Sequence, residues 1–567
     1  MLKVLFYHSN DLLTYQDNNL IFMGIAALYI KTHIEVANPD IGHKIEWLLP
    51  IQQKMSDAEL IEYCNQVKPD LLCTSHYIWN HSFLLEQLNR IKNSLPKTTI
   101  VVAGGPSIDV NIDDNFFNNY PFIDYAIYGA GEQSFLDLIT SIITGKKLIA
   151  FNTSNIAWFD KEKAKTVTAD FKYVPQHKIS PFLHNSDLFS RMVANMQHNN
   201  ISVVIPYELT RGCPYSCTFC DWNSGLTNKV SRRKGTYKDE INLFQKLKIK
   251  NIYLSDANVG QYEEDVEMIS YFAEKNINEK TGFLLDGNYS KLRKENNLKI
   301  YHLMGKANLL TDYAGFTISV QDINPVVLEN INRPDVGWNV HLDIINNLKQ
   351  SFPDKNAKIQ LIQGLPGQTL KSWRDTLAEI CKHKLILQPF ISELLPASPA
   401  ARDKEYQDKF VFTYANSERY EAGHFFKGTI PKSCISFDQI DFVKMTVLTT
   451  IYSTLMLYKN TIIDDFDLED VVDDFLQSKN YQAIVDNLYE NWHKNNKFYF
   501  TKDLDLKNVL VSASKFTDSA DTWQNSVFLL KLVSRHVNYD PIKFVKKMLK
   551  TNKNRIEVDV KRLQGYK

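Results

Sequence analysis

Short apolar runs separated by segments of helical length recur in two series along this chain, and that rhythm limits the fold more than any other feature. The first series falls at residues 3–7, 45–49, 70–78, 99–105 and 125–129. Strands that alternate with helical patterns pair in parallel through crossover helices, because no tight hairpin reaches a parallel neighbour. Residues 1–150 are therefore predicted to be an α/β domain with a doubly wound parallel sheet, Rossmann-like in outline. Residues 151–200 carry several prolines and no clear period, and read as a connector over the surface. The second series follows at 203–209, 251–256, 282–286, 315–321, 359–364 and 386–394. These six strand and helix units over 201–400 predict a partial (β/α)6 barrel, open on one side, in place of a complete eightfold one. Beyond about residue 400 glycine is scarce and the pattern turns helical and aromatic, so 401–567 reads as a mainly helical cap.

Charge and hydropathy narrow the function classes. Lys plus Arg and Asp plus Glu both total 65, a balance that leaves no overall footprint for nucleic acid, and no nucleic-acid partner is expected. The basic stretch 543–567 is a candidate phosphate contact, though such runs are more often a solvated helix face. The start, MLKVLFYHSN, lacks the basic flank and cleavage site of a secretory signal, and the longest apolar stretch, 447–458, falls short of a bilayer span. No membrane association is expected. Seven cysteines, three of them crowded into eight residues, suit a reducing compartment better than a disulfide framework, and a cytoplasmic location is expected.

The most informative line is ELTRGCPYSCTFCDW, which follows the first strand of the second series and places Cys213, Cys217 and Cys220 in a Cys-x3-Cys-x2-Cys array. Thiolates bind soft iron, and a tight loop reaches the corners of a cubane only if its sulfurs lie within a few residues of one another. No further cysteine occurs until Cys381 and no histidine between His198 and His302, so a local fourth protein ligand is missing. Structural zinc takes four ligands. A zinc knuckle, or unrelated buried thiols, is the alternative. The segment resembles the signature of the radical S-adenosylmethionine (SAM) superfamily, with Phe219 in the aromatic place before the third cysteine. That resemblance implies a 4Fe-4S cluster on Cys213, Cys217 and Cys220, an open iron that chelates SAM, and a 5′-deoxyadenosyl radical that takes hydrogen from substrate. It further implies Asn258, Ser319 and Gln321 as polar contacts to SAM, with backbone at 364–367 close to it. A Ser or Asn at a strand end also serves as a turn or cap residue.

An α/β domain directly before such a barrel resembles the cobalamin-dependent class of radical SAM enzymes, and the likeness covers most of residues 1–400. The segment ISVQDINPVVLENINR looks like this class as well. By resemblance the loops SHYIWN, GGPS and YGAGEQSF hold a corrinoid through Ser75, Tyr77, Trp79, Gly104, Gly105, Gly129, Gly131 and Glu132. Many cobalamin domains offer an axial histidine from Asp-x-His-x-x-Gly; no Asp-x-His occurs here, which resembles the branch whose lower cobalt face has no protein nitrogen. Trp79 is then the candidate for that face, His76 its competitor, and interdomain packing the plain alternative for Trp79. A nucleotide-binding domain is disfavoured, since the first strand is followed by HSNDLLTYQDNN with no Gly-x-Gly-x-x-Gly, and no Walker motif is present.

The combined resemblance implies a C-methyltransferase acting on an unactivated carbon, with a small-molecule or peptide substrate and an external electron donor of flavodoxin or ferredoxin type. A weak or absent lower ligand would favour homolytic methyl donation. Two alternatives stay open: a rearrangement or cyclisation without methyl transfer, and a noncatalytic corrinoid-binding sensor. Tyr406, Phe410, Tyr420, Phe425 and Phe426 could line a substrate pocket in the cap, although such residues are more often ordinary core.

Overall fold

In the computed structural model of the protein the described residues are 1–500, apart from 16–17, 109–111, 176–177, 223–227, 291, 311–314, 422–423, 462–466 and 496. The basic stretch 543–567 lies outside them.

The first sheet is built on five parallel strands in the spatial order Ile45–Trp47, Leu2–Asn10, Leu71–Ser75, Ile100–Gly104 and Tyr125–Ile127, with short Ile51–Gln53 also paired to Leu2–Asn10. Its central strands are apolar without alternation because helices cover both faces: Leu71–Ser75 is buried at every position. Leu5, Leu72 and Val101 pack on one side with Leu60, Leu84 and Leu88, while Val4, Cys73 and Val102 pack on the other with Ile34, Phe135 and Ile139. Sequence order turns back between Leu2–Asn10 and Leu71–Ser75, and sheets of this kind take ligands outside the carboxyl ends of the strands flanking that switch. The loop that begins at Ser75 stands there.

Residues 151–200, expected as a connector, hold regular structure. An antiparallel hairpin, Ile156–Asp160 with Lys165–Thr168, extends the first sheet. Ser180 then caps the short helix Pro181–His184 by accepting the Leu183 amide, so this proline marks a helix start where the sequence pattern read as loop. Ser186–His198 follows and buries Leu188, Phe189, Met192 and Met196 in the core of the barrel.

The barrel strands form two parallel ladders. One contains Ile201–Tyr207, Asn251–Val259 and Leu284–Tyr289; the other contains Phe316–Gln321, Ala357–Gln363 and Ile386–Ile391. Asn18–Phe22 joins the outer edge of Ile201–Tyr207 in parallel, so a segment of the first 150 residues completes the edge of the second unit. The apolar run Leu20 to Met23 was not among the strands expected from the sequence. The C-terminal region carries the helices Gln439–Thr461, Leu468–Leu476 and Lys479–Asn495, as the pattern predicted, and adds a hairpin, Thr413–Glu421 with His424–Ser433, to which Lys497–Phe500 pairs. These helices share the barrel's core: Trp373 is fully buried and its Nε1 donates to Thr449 Oγ1 at 2.8 Å. Among the described residues no helix is long and apolar enough to cross a membrane.

Candidate active site

The cysteine loop leaves the carboxyl end of Ile201–Tyr207 and is fixed by groups from distant parts of the chain. Asp256, near the end of the next strand, accepts from Leu209 N at 2.7 Å and Thr210 N at 3.0 Å. Burial pushes the Asp256 carboxyl up to about 7, the Asp265 charge adds to the rise, and the amide donors oppose it. Arg232 holds the same corner: its Nη2 lies 2.6 Å from Asp265, its Nε donates to Glu264 at 3.0 Å, and its Nη1 donates to Thr210 Oγ1. Gly212, at φ 91°, makes the left-handed turn into Cys213.

Cys213 and Cys217 are buried and Cys220 is half-buried. Asn258 Nδ2 donates to Cys213 Sγ at 3.2 Å. Further along the loop the Thr218 amide donates to Ile331 O at 2.9 Å, its hydroxyl bonds Tyr406 Oη at 2.9 Å, and its carbonyl accepts from Ala400 N at 2.8 Å. Phe219 packs on Val327, Ile331 and Leu365. Among the described residues no three His, Cys, Asp or Glu side chains converge on one point as the ligands of a single ion would. A cubane asks for something else, because each thiolate takes a different iron and the sulfurs stand at separate corners. Of the expected cap aromatics, Tyr406 reaches this loop and Phe410 is buried against Tyr406 and Phe412; the side chains of Tyr420, Phe425 and Phe426 lie outside the described set.

Around the loop the barrel strand ends present polar atoms without partners. Asn258 Oδ1 and Gln321 Oε1 are both buried and unbonded, and Gln321 sits at φ 69°, strained for a residue with a side chain. Ser319 donates to Gln360 Oε1, and Gln360 Nε2 to Gln388 Oε1 at 3.4 Å, a polar rung across the second ladder. The glycines of the Gln363 to Thr369 turn behave differently from expectation. A Cβ on Gly364 would stand 2.8 Å from the Phe442 ring and one on Gly367 2.6 Å from Asn330 Nδ2, so both answer to packing inside the protein.

Sequence reading missed Arg333. It is buried, its Nη2 donates to Ser319 O, and its Nε has no partner. It lines a cavity of about 310 Å³ with Asp322, Asp335 and His341. His341 Nε2 lies 2.8 Å from Asp335 Oδ1, while Asp335 Oδ2 and His341 Nδ1 are buried and unbonded. Arg333 ends the quoted ISVQDINPVVLENINR segment, but nothing in its spacing announced that it turns back beneath Ser319.

The first domain brings its loops together as a second polar and aromatic surface. His76 N donates to Gly104 O at 2.6 Å, and a Cβ on Gly105 (φ 108°) would lie 2.5 Å from His76 O, so only glycine fits there. Asn80 ties the loop to itself, accepting from Tyr77 N at 2.7 Å and donating to Ser75 O at 3.1 Å. Tyr77 and Trp79 are half-buried and stack with ring centroids 4.6 Å apart. His76 is fully buried, with Nε2 2.9 Å from Thr74 Oγ1 and Nδ1 3.1 Å from His81 Nδ1. Both ring nitrogens of His76 are thus engaged within the domain. Gly129 approaches Phe171, Gly131 precedes the helix Glu132–Thr144, and Glu132 points to the barrel, where Arg211 Nη1 donates to it at 2.7 Å. The structure also places His8, unnoticed in the sequence, at the switch point: it is buried, its Nε2 has no partner, and burial pushes it down to about 4.

The radical SAM superfamily model matches residues 207–380, the span that begins at the strand before the cysteine loop. The cobalamin-dependent radical SAM methyltransferase TokK of Streptomyces tokunonensis is 27% identical over 393 residues, 67% of this chain and 55% of that protein. Residues 207–380 thus resemble the radical SAM superfamily, and the wider chain resembles a cobalamin-dependent radical SAM enzyme. A second relative, the 2-(S-pantetheinyl)-carbapenam-3-carboxylate methyltransferase of Streptantibioticus cattleyicolor, is 26% identical over 55% of this chain and 45% of its own length. The chain thus spans about half the length of these curated relatives. The cobalamin-dependent SAM radical enzyme OxsB, solved with aqua-cobalamin and SAM bound, shares the fold of this chain with a TM-score of 0.54 at 13% identity, over 99% of this chain and 81% of OxsB.

Proposed function

We propose that this chain is a cobalamin-dependent radical SAM C-methyltransferase acting on an unactivated carbon of a small-molecule or peptide substrate. The observation that carries the reading is the pairing of the two surfaces: the cysteine loop at the barrel mouth and the Gly131 turn of the first domain are joined directly through Arg211 and Glu132.

The residues present fit the groups the family uses. Cys213, Cys217 and Cys220 would hold the cluster, with Asn258 Nδ2 bonded to the Cys213 sulfur and Phe219 packed behind the loop. Asn258 Oδ1 and Gln321 Oε1 are buried acceptors awaiting donors, and Arg333 Nε is a buried donor awaiting an acceptor; an amino acid moiety and a ribose supply both kinds. Ser75, Gly104 and Gly105 form a side-chain-poor shelf for a bulky ring, flanked by the Tyr77 and Trp79 stack. The turn made by Gly129 and Gly131 closes the next edge. With both nitrogens of His76 engaged, Trp79 would be the residue of this loop to meet a corrinoid, and its indole has no nitrogen lone pair to offer. When bound, the cluster would supply the electron that cleaves SAM, and the corrinoid would supply the methyl group. Cys220, the least buried of the three, marks the side from which an external flavodoxin- or ferredoxin-type donor would approach.

The test is anaerobic turnover of the chain, reconstituted with iron, sulfide and hydroxocobalamin, on candidate substrates with methyl-labelled SAM. Expected products are 5′-deoxyadenosine, S-adenosylhomocysteine and a substrate carrying the label on carbon. A modified product without label overturns methyl transfer in favour of rearrangement.

A further inference from the structure

The four residues before the cluster loop's glycine, Glu208 to Arg211, meet the first domain at Glu132 and at the Tyr29 ring. Arg211 is gripped from several directions: Glu132 accepts from its Nη1 at 2.7 Å, Glu208 from its Nη2 at 3.1 Å, and its guanidinium lies 5.7 Å from the centre of the Tyr29 ring. Glu132 and Tyr29 both belong to the first domain, on the helices Glu132–Thr144 and Ala26–Ala37. The Glu132 carboxylate sits at a helix start, where the backbone favours negative charge. Its pKa is lowered although burial works against it, because the Arg211 charge and hydrogen bond outweigh that cost. On the other side, the Tyr77 hydroxyl is raised by burial and further by the charge of Glu208, which places Glu208 in the field of the Ser75 to Asn80 loop. Cys213 follows Arg211 by two residues, and Glu132 follows Gly131 by one.

We propose that the Glu132–Arg211 ion pair is a positioning strut that couples the first domain's cofactor loops to the cysteine loop and sets the spacing between the two. Glu132 then acts through Arg211 and need not touch a corrinoid. The inference rests on the reading of these loops as cofactor loops, but its mechanical content belongs to the chain alone. A buried pair of this kind is strongly disturbed when one partner is removed, since the other charge is left without compensation.

Hydrogen exchange of the full-length chain, as purified and after cluster reconstitution, tests it. Glu132→Gln and Arg211→Met should each raise amide exchange by about tenfold or more in both 127–135 and 208–217, with the double variant no worse than the stronger single one. Lys147→Gln, which opens an exposed pair with Glu162, should change neither segment. Where Arg211→Met fails to fold, Arg211→Lys carries the same test, because it keeps the charge and loses the fork that reaches Glu132 and Glu208 together. Hydroxocobalamin should slow exchange at 208–217 in the unmodified chain and not in Glu132→Gln. A rise confined to each variant's own segment overturns the strut, since a merely local role would do just that. A chain that binds no hydroxocobalamin removes the corrinoid reading, while the variants without corrinoid still decide the strut.

Discussion

The cysteine loop and the Ser75 to Asn80 loop both leave the carboxyl ends of parallel strands, yet they are held in opposite ways. The first is pinned by remote groups: Asp256 and Asn258 from the next strand, Ile331 O from beyond the fourth, and Tyr406 from a helix 188 residues away. The second is pinned mainly by itself, through Asn80, Thr74, His76 and His81. On the proposed reading, a loop that would present thiolates to a cluster has its polar backbone satisfied from outside. A loop that offers a flat aromatic face can close on its own short-range bonds and leave that face open.

Removing a proposed ligand should break the first loop's function outright: Cys217→Ala is expected to reduce iron retained after reconstitution to background, measured by iron analysis. The next effect is a pH dependence. The folded-state pKa of Asp256, about 7, lies above its ordinary 3.8, so the stability it contributes is complete below the ordinary value and is lost as pH rises through about 7. The unfolding free energy should therefore fall over that window, and Asp256→Asn should flatten the fall by up to about 4 kcal/mol. Equal slopes in the two proteins would show that Asp256 is not held mainly in its neutral form. Asn80→Ala should cost about 2 kcal/mol in chemical denaturation, with increased exchange restricted to the self-pinned loop. If the disturbance spreads to the cysteine loop, the contrast between the two fails. Tyr406→Phe removes a single remote bond and should cost about 1 kcal/mol, the smallest change of the set.

The sequence made legible whatever depends on neighbours. The cysteines lie within eight residues, and the first sheet's apolar runs fall on its observed parallel strands. Glycines with a close approach, such as Gly105, were picked out as special, although the partner of Gly364 proved to be Phe442. What stayed hidden depends on partners far along the chain. Nothing near Glu132 indicates an arginine 79 residues on, and Asn18–Phe22 looks like no barrel strand until Ile201–Tyr207 lies beside it. Arg333 and His8 were invisible for the same reason: a buried polar atom without a partner is a fact of three dimensions.

Mössbauer spectroscopy of the anaerobically reconstituted chain, recorded with and without SAM, addresses the central claim most directly. The account predicts a 4Fe-4S cluster in which one iron differs from the rest and changes its spectrum when SAM is added. A cluster whose irons are all equivalent and indifferent to SAM, or a chain that holds zinc in place of iron, would contradict it.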